Sequence, residues 1–202
     1  MIEKAKKYAR HLMEKDSSGH DYYHALRVLH LAERIAAEES RFRHLDMELV
    51  QLIAILHDVD DRKLSPETCE NLDRARDFLN ENGVEEARIE LIVTGIRQIS
   101  FKGADSVSPD TIEAKCVQDA DRLDAMGAIG IARTFAYGGS KGRRMHDPAG
   151  RDPLTSVNHF HEKLLNLAGL MNTDSAREIA RERHRYMEEY LERFQREWDG
   201  NI

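Results

Sequence analysis

The chain has 202 residues, of which 41% are hydrophobic and 33% charged, and its formal net charge is −7. This length suffices for a hydrophobic core, so we expect one domain over residues 1–202. The acidic balance argues against binding of a nucleic acid polymer, which needs a basic surface. The chain has only two cysteines and neither a long apolar run nor an apolar segment at its start. We therefore expect a cytoplasmic protein without a secretory leader, a membrane span or a disulfide framework.

The hydrophobic pattern predicts an all-α fold. Apolar residues recur at helical spacing along most of the chain, and signals for strands are scarce. Ser65-Pro66 and Ser108-Pro109 indicate helix starts, whereas Asn82-Gly83 and Gly138-Gly139 indicate helix ends. In chain order, the predicted helices cover residues 2–15, 21–40, 46–57, 67–82, 85–99, 110–135 with a break near Gly127, 155–171 and 174–198.

Two segments differ from this amphipathic pattern. The second half of the helix predicted over 46–57 is apolar on all sides, so we expect it at the centre of the fold. Residues 138–153 contain four glycines and two prolines, which predicts a loop. A loop of this length inside a compact domain is typical of a segment that closes over a substrate.

The last predicted helix carries an aromatic stripe, because Tyr186, Tyr190, Phe194 and Trp198 recur at every fourth position. Such residues share one face of a helix, and we expect them to pack on the chain's own core. A dimer interface is the alternative, so the sequence leaves both a monomer and a homodimer open.

The pair His57-Asp58 ends the apolar helix and is the first candidate for chemistry. A buried carboxylate is costly unless a hydrogen bond or a cation compensates it. A metal ion is one such compensation. The alternative is a helix C-terminus that emerges into water, where the helix dipole favours histidine.

Two further polar clusters lie on predicted helices. His20, His24 and Arg27 are spaced at i, i+4 and i+7 and therefore share a helix face. Asp121 and Asp124, at i and i+3, lie in an apolar segment rich in small residues. Like charges at this spacing repel, so a cation nearby is expected. A solvated helix face is the alternative for both clusters.

Together, the three clusters offer two imidazoles and two carboxylates, from His24, His57, Asp58 and Asp121. A mixed nitrogen and oxygen set suits a first-row divalent ion that keeps open positions for water and a phosphate oxygen. It differs from a closed structural zinc site, which usually includes cysteines.

The order H…HD…D resembles the HD superfamily of metal-dependent phosphohydrolases, which fold as all-helical bundles. Five strings extend the resemblance to the bacterial branch of small, stand-alone HD hydrolases: GHDYYHALRV, LIAILHDVDD, QISFKG, QDADRLDAMGAIGIARTFAYGG and HFHEKLL. The resemblance implies that His24, His57, Asp58 and Asp121 bind the metal. It also implies that Asp61 orients or activates a water molecule, as an acidic residue does in related HD nucleotidases.

The resemblance further implies one metal ion rather than two. No histidine lies between Asp58 and His146, whereas two-metal HD phosphodiesterases and oxygenases carry extra histidines in that interval. Manganese is favoured, and magnesium, iron, cobalt and nickel remain open, because availability often decides which metal is bound.

The implied substrate is a small phosphorylated molecule, with a nucleotide favoured. Hydrolysis of a nucleoside triphosphate to monophosphate and pyrophosphate is favoured; a nucleoside monophosphate phosphatase and a non-catalytic nucleotide-sensing or protein-binding module are the alternatives. Asp124 is a second catalytic candidate from its position. The candidate substrate-binding residues are His20, Arg27, Lys63, Lys102, Arg122, Lys141 and Arg143, with Arg133 and Arg144 as further cations.

Overall fold

The computed structural model describes residues 1–14, 21–62, 65–99 and 107–201. Across these ranges the regular structure is helical and no strand occurs, which confirms the all-α class. None of the helices in them is both long and apolar enough to cross a membrane. The helices are α1 (Ile2–Met13), α2 (Tyr22–Glu39), α3 (Met47–Leu56), α4 (Asp73–Glu81), α5 (Glu86–Arg97), α6 (Ile112–Asp124), α7 (Gly127–Ser140), α8 (Ser156–Glu162), a 3-10 helix (Leu164–Leu170) and α9 (Asp174–Trp198).

The chain forms two compact units, Met1–Asp121 and Arg122–Ile202. In the first, α3 is the central element and packs against α1, α2 and α5. Seven of its ten residues are buried, which confirms the prediction for this helix. The helix starts at Asp46, whose carboxylate accepts the amide hydrogen of Leu49 at 3.0 Å. Burial of this apolar surface is the main stabilising contribution to the first unit.

Helix α4 begins later than the predicted range 67–82, and the residues before it form turns. Leu72, at φ +59°, lies in the left-handed region and cannot continue a helix. The start is instead set by the carboxylate of Asp60. Its two oxygens accept the amide hydrogens of Arg74 and Ala75 at 3.1 and 2.9 Å. A cap supplied from outside the segment leaves no local signal in the sequence.

The predicted break near Gly127 is confirmed, because α6 and α7 are separate helices and Gly127 adopts φ +67°. The predicted helix end at Gly138 is wrong. Helix α7 continues to Ser140, so the loop expected over 138–153 starts only after it. A Cβ at Gly138 would overlap the Oγ of Ser156. The glycine thus permits a close approach of two segments rather than ending the helix.

The predicted helix 155–171 is also divided, into α8 and the 3-10 helix. The side-chain amide of Asn166 donates to the carbonyl oxygens of His161 and Glu162, at 3.4 and 3.1 Å. A continuous α-helix would bond these carbonyls to the amides of residues 165 and 166. The side chain therefore competes with the helix at this point.

The second unit has an aromatic core where α7 packs against α8 and α9. The ring of Phe135 lies 6.1 Å from that of Tyr190 and 6.0 Å from that of Phe194, measured between centroids. These contacts confirm internal packing for the middle of the aromatic stripe. Tyr186, in contrast, is 50% exposed.

Candidate metal centre

The ligand candidates of the first unit lie at the ends of three helices. His24 is in the first turn of α2, where the carboxylate of Asp21 accepts its amide hydrogen at 2.7 Å. This cap fixes the helix start and hence the position of the imidazole. His57 follows the last residue of α3 directly. Asp121 lies in the last turn of α6.

His24, His57 and Asp58 form one cluster, and Asp121 lies beside His24. The Nε2 of His24 lies 3.3 Å from the Oδ2 of Asp58 and 3.4 Å from the Oδ1 of Asp121. The Nε2 of His57 lies 3.4 Å from the same Oδ2. The two histidines are buried, and the side chains of Asp58 and Asp121 are only 12% and 26% exposed. Residues 97 positions apart along the chain are thus brought side by side.

The ring of His57 has a fixed orientation. Its Nδ1 lies 2.7 Å from the carbonyl oxygen of Ala54 and donates a hydrogen bond to it. In the neutral ring, the lone pair is then on Nε2, which faces the carboxylate of Asp58. Metal-binding histidines commonly donate their other ring N–H in this way.

These residues fit a divalent metal ion. One ligand atom each of His24, His57 and Asp58 lies within 4.8 Å of the others. Metal bonds of about 2.0–2.2 Å place neighbouring ligand atoms about 3–3.5 Å apart. The distances from the two Nε2 atoms to the Oδ2 of Asp58, 3.3 and 3.4 Å, agree with this spacing. The buried Nε2 of His57 has no hydrogen-bond partner among the described residues. Such an atom is costly without a partner, and a cation would provide one.

A cleft of about 470 Å³ opens beside this cluster. Asp61 lines it, and its amide donates to the carbonyl oxygen of Asp58 at 3.0 Å, so both carboxylates belong to one turn. The half-buried Asp61 is therefore in contact with the cleft, where a water molecule could reach it. The lining residues are His57, Asp58, Asp60, Asp61, Arg62, Cys69, Glu70, Leu72, Ile96 and Arg97.

Sequence reasoning identified three of these ten lining residues, His57, Asp58 and Asp61, and missed the other seven, among them Asp60, Arg62 and Arg97. Asp60 is buried and caps α4, and only its place beside Asp58 and Asp61 could have drawn attention to it. Arg62 directly follows Asp61, so its adjacency was a usable signal. Arg97 carried no sequence signal for the site, because the packing of α5 against α3 is what brings it to the cleft.

The predicted substrate-binding residues of the first unit are only partly described. Arg27 is half-buried on α2, one turn after His24, and thus on the same face of the helix. His20, Lys63 and Lys102 lie outside the described residues. Their assignment stays a prediction.

Two predicted site residues of the second unit have partners within that unit. Asp124 is buried, and one of its carboxylate oxygens accepts a hydrogen bond from Arg133 at 2.6 Å. Arg122 is also buried, and its guanidinium donates to the carbonyl oxygen of Leu170. These contacts favour a structural role for both side chains, because removing one partner of a buried pair is destabilising.

Lys141 and Arg143 lie near the end of α7 and flank one aromatic ring. The ammonium nitrogen of Lys141 is 5.7 Å, and the guanidinium carbon of Arg143 5.4 Å, from the centroid of Tyr137. Burial, reinforced by the charges of Lys163 and Arg143, holds the pKa of His159 below its usual value. Two cations thus lie beside one ring, and their assignment to anion binding stays a prediction.

Comparison with known proteins gives a family match over the first unit and relatives over nearly the whole chain. The sequence model of the HD domain family matches residues 21–126. In sequence, the chain is 36% identical to YpgQ of Bacillus subtilis over 200 residues, a match that covers 98% of this chain and 94% of YpgQ.

Solved structures agree over the same length. An HD-superfamily hydrolase from Bacillus thuringiensis is 44% identical, with a TM-score of 0.80, and the match covers 98% of this chain and 96% of that one. The crystal structure of Bacillus subtilis YpgQ in complex with ADP has a TM-score of 0.82 at 35% identity, and the match covers 100% of both chains.

Proposed function

The chain belongs to the HD domain family, and we propose that it is a metal-dependent phosphohydrolase that hydrolyses nucleotides. Its similarity to an HD-superfamily hydrolase supports the hydrolase class. The ADP complex of its relative YpgQ supports a nucleotide ligand. The favoured reaction is hydrolysis of a nucleoside triphosphate to monophosphate and pyrophosphate.

One observation carries this proposal: His24, His57 and Asp58 form a buried cluster, with Asp121 beside His24, and two of these residues line an open cleft. In the proposal, His24, His57, Asp58 and Asp121 hold one divalent ion, with manganese favoured. A bound ion would supply positive charge for a phosphate oxygen and would lower the pKa of bound water. The hydrogen bond from His57 to Ala54 keeps the imidazole in its binding orientation.

Asp61 is the residue proposed to handle the proton. It lines the cleft on the turn that also carries Asp58, where its carboxylate accepts the proton of the attacking water. The water oxygen forms a bond to the α-phosphorus as the bond to the bridging oxygen breaks, and pyrophosphate leaves. Arg27, on the same face of α2 as His24, is proposed to meet a phosphate oxygen.

A product assay tests the proposal. Metal-free protein is supplied with Mn²⁺ or Mg²⁺ and with nucleoside mono-, di- and triphosphates, and nucleotide products, phosphate and pyrophosphate are measured separately. We expect pyrophosphate from triphosphates. Asp58→Ala should lower kcat/KM about 1,000-fold or more, which equals about 4 kcal/mol of transition-state stabilisation. Asp77→Ala, at an exposed site on α4, is the matched control.

A second variant separates proton handling from metal binding. Asp61→Asn should lower kcat by about 10²–10⁴-fold, the range typical of general acid–base catalysis, while calorimetry shows metal affinity unchanged. Equal losses of metal affinity in Asp61→Asn and Asp58→Ala would contradict the separate roles.

The other outcomes of the product assay assign other functions. Orthophosphate released from nucleoside monophosphates would identify a phosphatase instead. Nucleotide binding without turnover under any metal would identify a sensing module. If the protein neither binds nor hydrolyses nucleotides, the proposal of a nucleotide substrate is overturned.

A further inference from the structure

We propose that Arg62 and Arg97 bind the phosphate groups beyond the one that is attacked, and so select substrates with a polyphosphate chain. The inference rests on the proposed function, since it assigns a subsite of the same cleft. Both arginines line that cleft together with His57 and Asp58. They come from different elements, because Arg62 belongs to the turn after α3 and Arg97 is the last residue of α5.

The charges around the two arginines support this assignment. Both are exposed, and neither makes an ion pair with a described residue, although Asp61 and Glu70 line the same cleft. The nearby carboxylate of Asp60 is already engaged by two backbone amides. Among the described residues, Glu90 feels the charge of Arg97, but no carboxylate pairs with either guanidinium group in place of an anion. Arginine is suited to phosphate oxygens, which it can bind in a bidentate manner.

The shape and composition of the cleft favour phosphate over a nucleobase. Its volume of about 470 Å³ lies within the range of small-ligand sites. No Tyr, Phe or Trp is present among the described residues that line it, so the one ring these residues offer is the imidazole of His57. Its apolar wall consists of Leu72 and Ile96, both buried. The cleft thus suits the charged end of a nucleotide.

Titration calorimetry with two probes, inorganic tripolyphosphate and AMP, tests the subsite in the presence of Mn²⁺. We expect Arg62→Ala and Arg97→Ala each to raise the Kd of tripolyphosphate about tenfold, as loss of a charge-assisted hydrogen bond does. The Kd of AMP, which lacks the distal phosphates, should change less than about twofold. Arg41→Ala is the matched control, because Arg41 is exposed and pairs with Glu38 on the surface of the same unit.

The outcomes distinguish this inference from the proposed function. Equal losses for AMP and tripolyphosphate would show that the arginines meet the one phosphate that both probes offer, and would overturn the inference. A loss confined to AMP would show that they meet the nucleoside, and would overturn it too. Unchanged affinity of both arginine variants for both probes would also overturn it, provided that triphosphate hydrolysis by the wild-type protein depends on Asp58. A wild-type protein that neither binds nor hydrolyses nucleotides would overturn both. Unchanged circular dichroism and melting temperature would show that the variants fold.

Discussion

Three His-Asp dipeptides occur in the chain, and the structure gives the three aspartates different partners. Asp58 lies between two imidazoles at the candidate metal centre. Asp21 caps helix α2 by accepting an amide hydrogen. Asp147 accepts amide hydrogens within a loop, among them that of Asp152 at 2.9 Å, which lowers the pKa of its carboxyl. The dipeptide alone therefore does not indicate a function; the elements that surround it do.

The two cysteines should differ sharply in reactivity. Burial raises the pKa of the Cys116 thiol to about 12, whereas Cys69 is half-buried and lines the cleft. Only the thiolate reacts with disulfide reagents, and at pH 8 about one in 10⁴ thiols with a pKa of about 12 is ionised. We expect a dithionitrobenzoate assay to detect one fast thiol in the folded protein and two after unfolding.

Single variants assign that thiol. Cys69→Ser should abolish the fast reaction, and Cys116→Ser should leave it unchanged. Two fast thiols in the folded wild-type protein would show that Cys116 is accessible, contrary to its burial.

The sequence identified the metal-ligand candidates better than the remainder of the cleft. His24, His57, Asp58 and Asp121 belong to a pattern whose order along the chain is enough to single them out. The structure brings the first three together and places Asp121 beside His24. Arg97 belongs to no such pattern. Its place at the cleft depends on how two helices pack, which the spacing of residues within either helix does not reveal.

Among the helices, prediction succeeded where the caps are local. Helix α9 has the predicted bounds 174–198, and the hydroxyl of Thr173 directly before it accepts the amide hydrogen of Ala176. Helix α4 was predicted to begin too early, because its cap comes from Asp60, outside the segment. The helix predicted over 155–171 changes type where the side-chain amide of Asn166 donates to the backbone carbonyls of His161 and Glu162.

Neighbouring glycines at the end of α7 should respond to alanine in opposite directions. A Cβ at Gly138 would overlap Ser156 Oγ, whereas a Cβ at Gly139 would meet no atom within 4 Å. We expect Gly138→Ala to reduce the free energy of unfolding by about 1–3 kcal/mol, as overpacking does. Gly139→Ala should increase it by up to about 1 kcal/mol through helix propensity. Urea denaturation measures both.

A double variant checks the cause. With Ser156→Ala, the nearest remaining atom of residue 156 is its Cβ, at 3.6 Å from the added methyl group, an ordinary contact. The variant Gly138→Ala/Ser156→Ala should therefore recover most of the stability lost in Gly138→Ala. Additive losses would show that the side-chain overlap is not the reason.

At the scale of the whole molecule, metal binding should stabilise the fold, because all four ligand candidates belong to the unit Met1–Asp121. An ion that binds only the folded state adds about 2.7 kcal/mol at a concentration 100 times its Kd. For a chain of this length, that corresponds to a rise in Tm of about 5–10 °C. Differential scanning calorimetry with Mn²⁺ and then with excess EDTA measures the shift.

The same variants that test hydrolysis serve as controls here. Asp58→Ala should show no metal-dependent shift, and Asp77→Ala should show the full one. A shift of equal size in Asp58→Ala would place the stabilising ion elsewhere.

Within the pentapeptide His57-Asp58-Val59-Asp60-Asp61, three carboxylates line one cleft but have different partners: Asp58 lies at the candidate metal centre, Asp60 caps α4, and Asp61 is the residue proposed to accept a proton. If the proposed function holds, selection for turnover and selection for folding act on neighbouring codons. A deep mutational scan scored on the proposed hydrolysis should assign Asp60 the same intolerance as Asp58 and Asp61. The same scan scored on cellular abundance should show a loss for variants of Asp60 but not for those of Asp58 and Asp61. Asp60 would then be assigned to folding rather than to the active site.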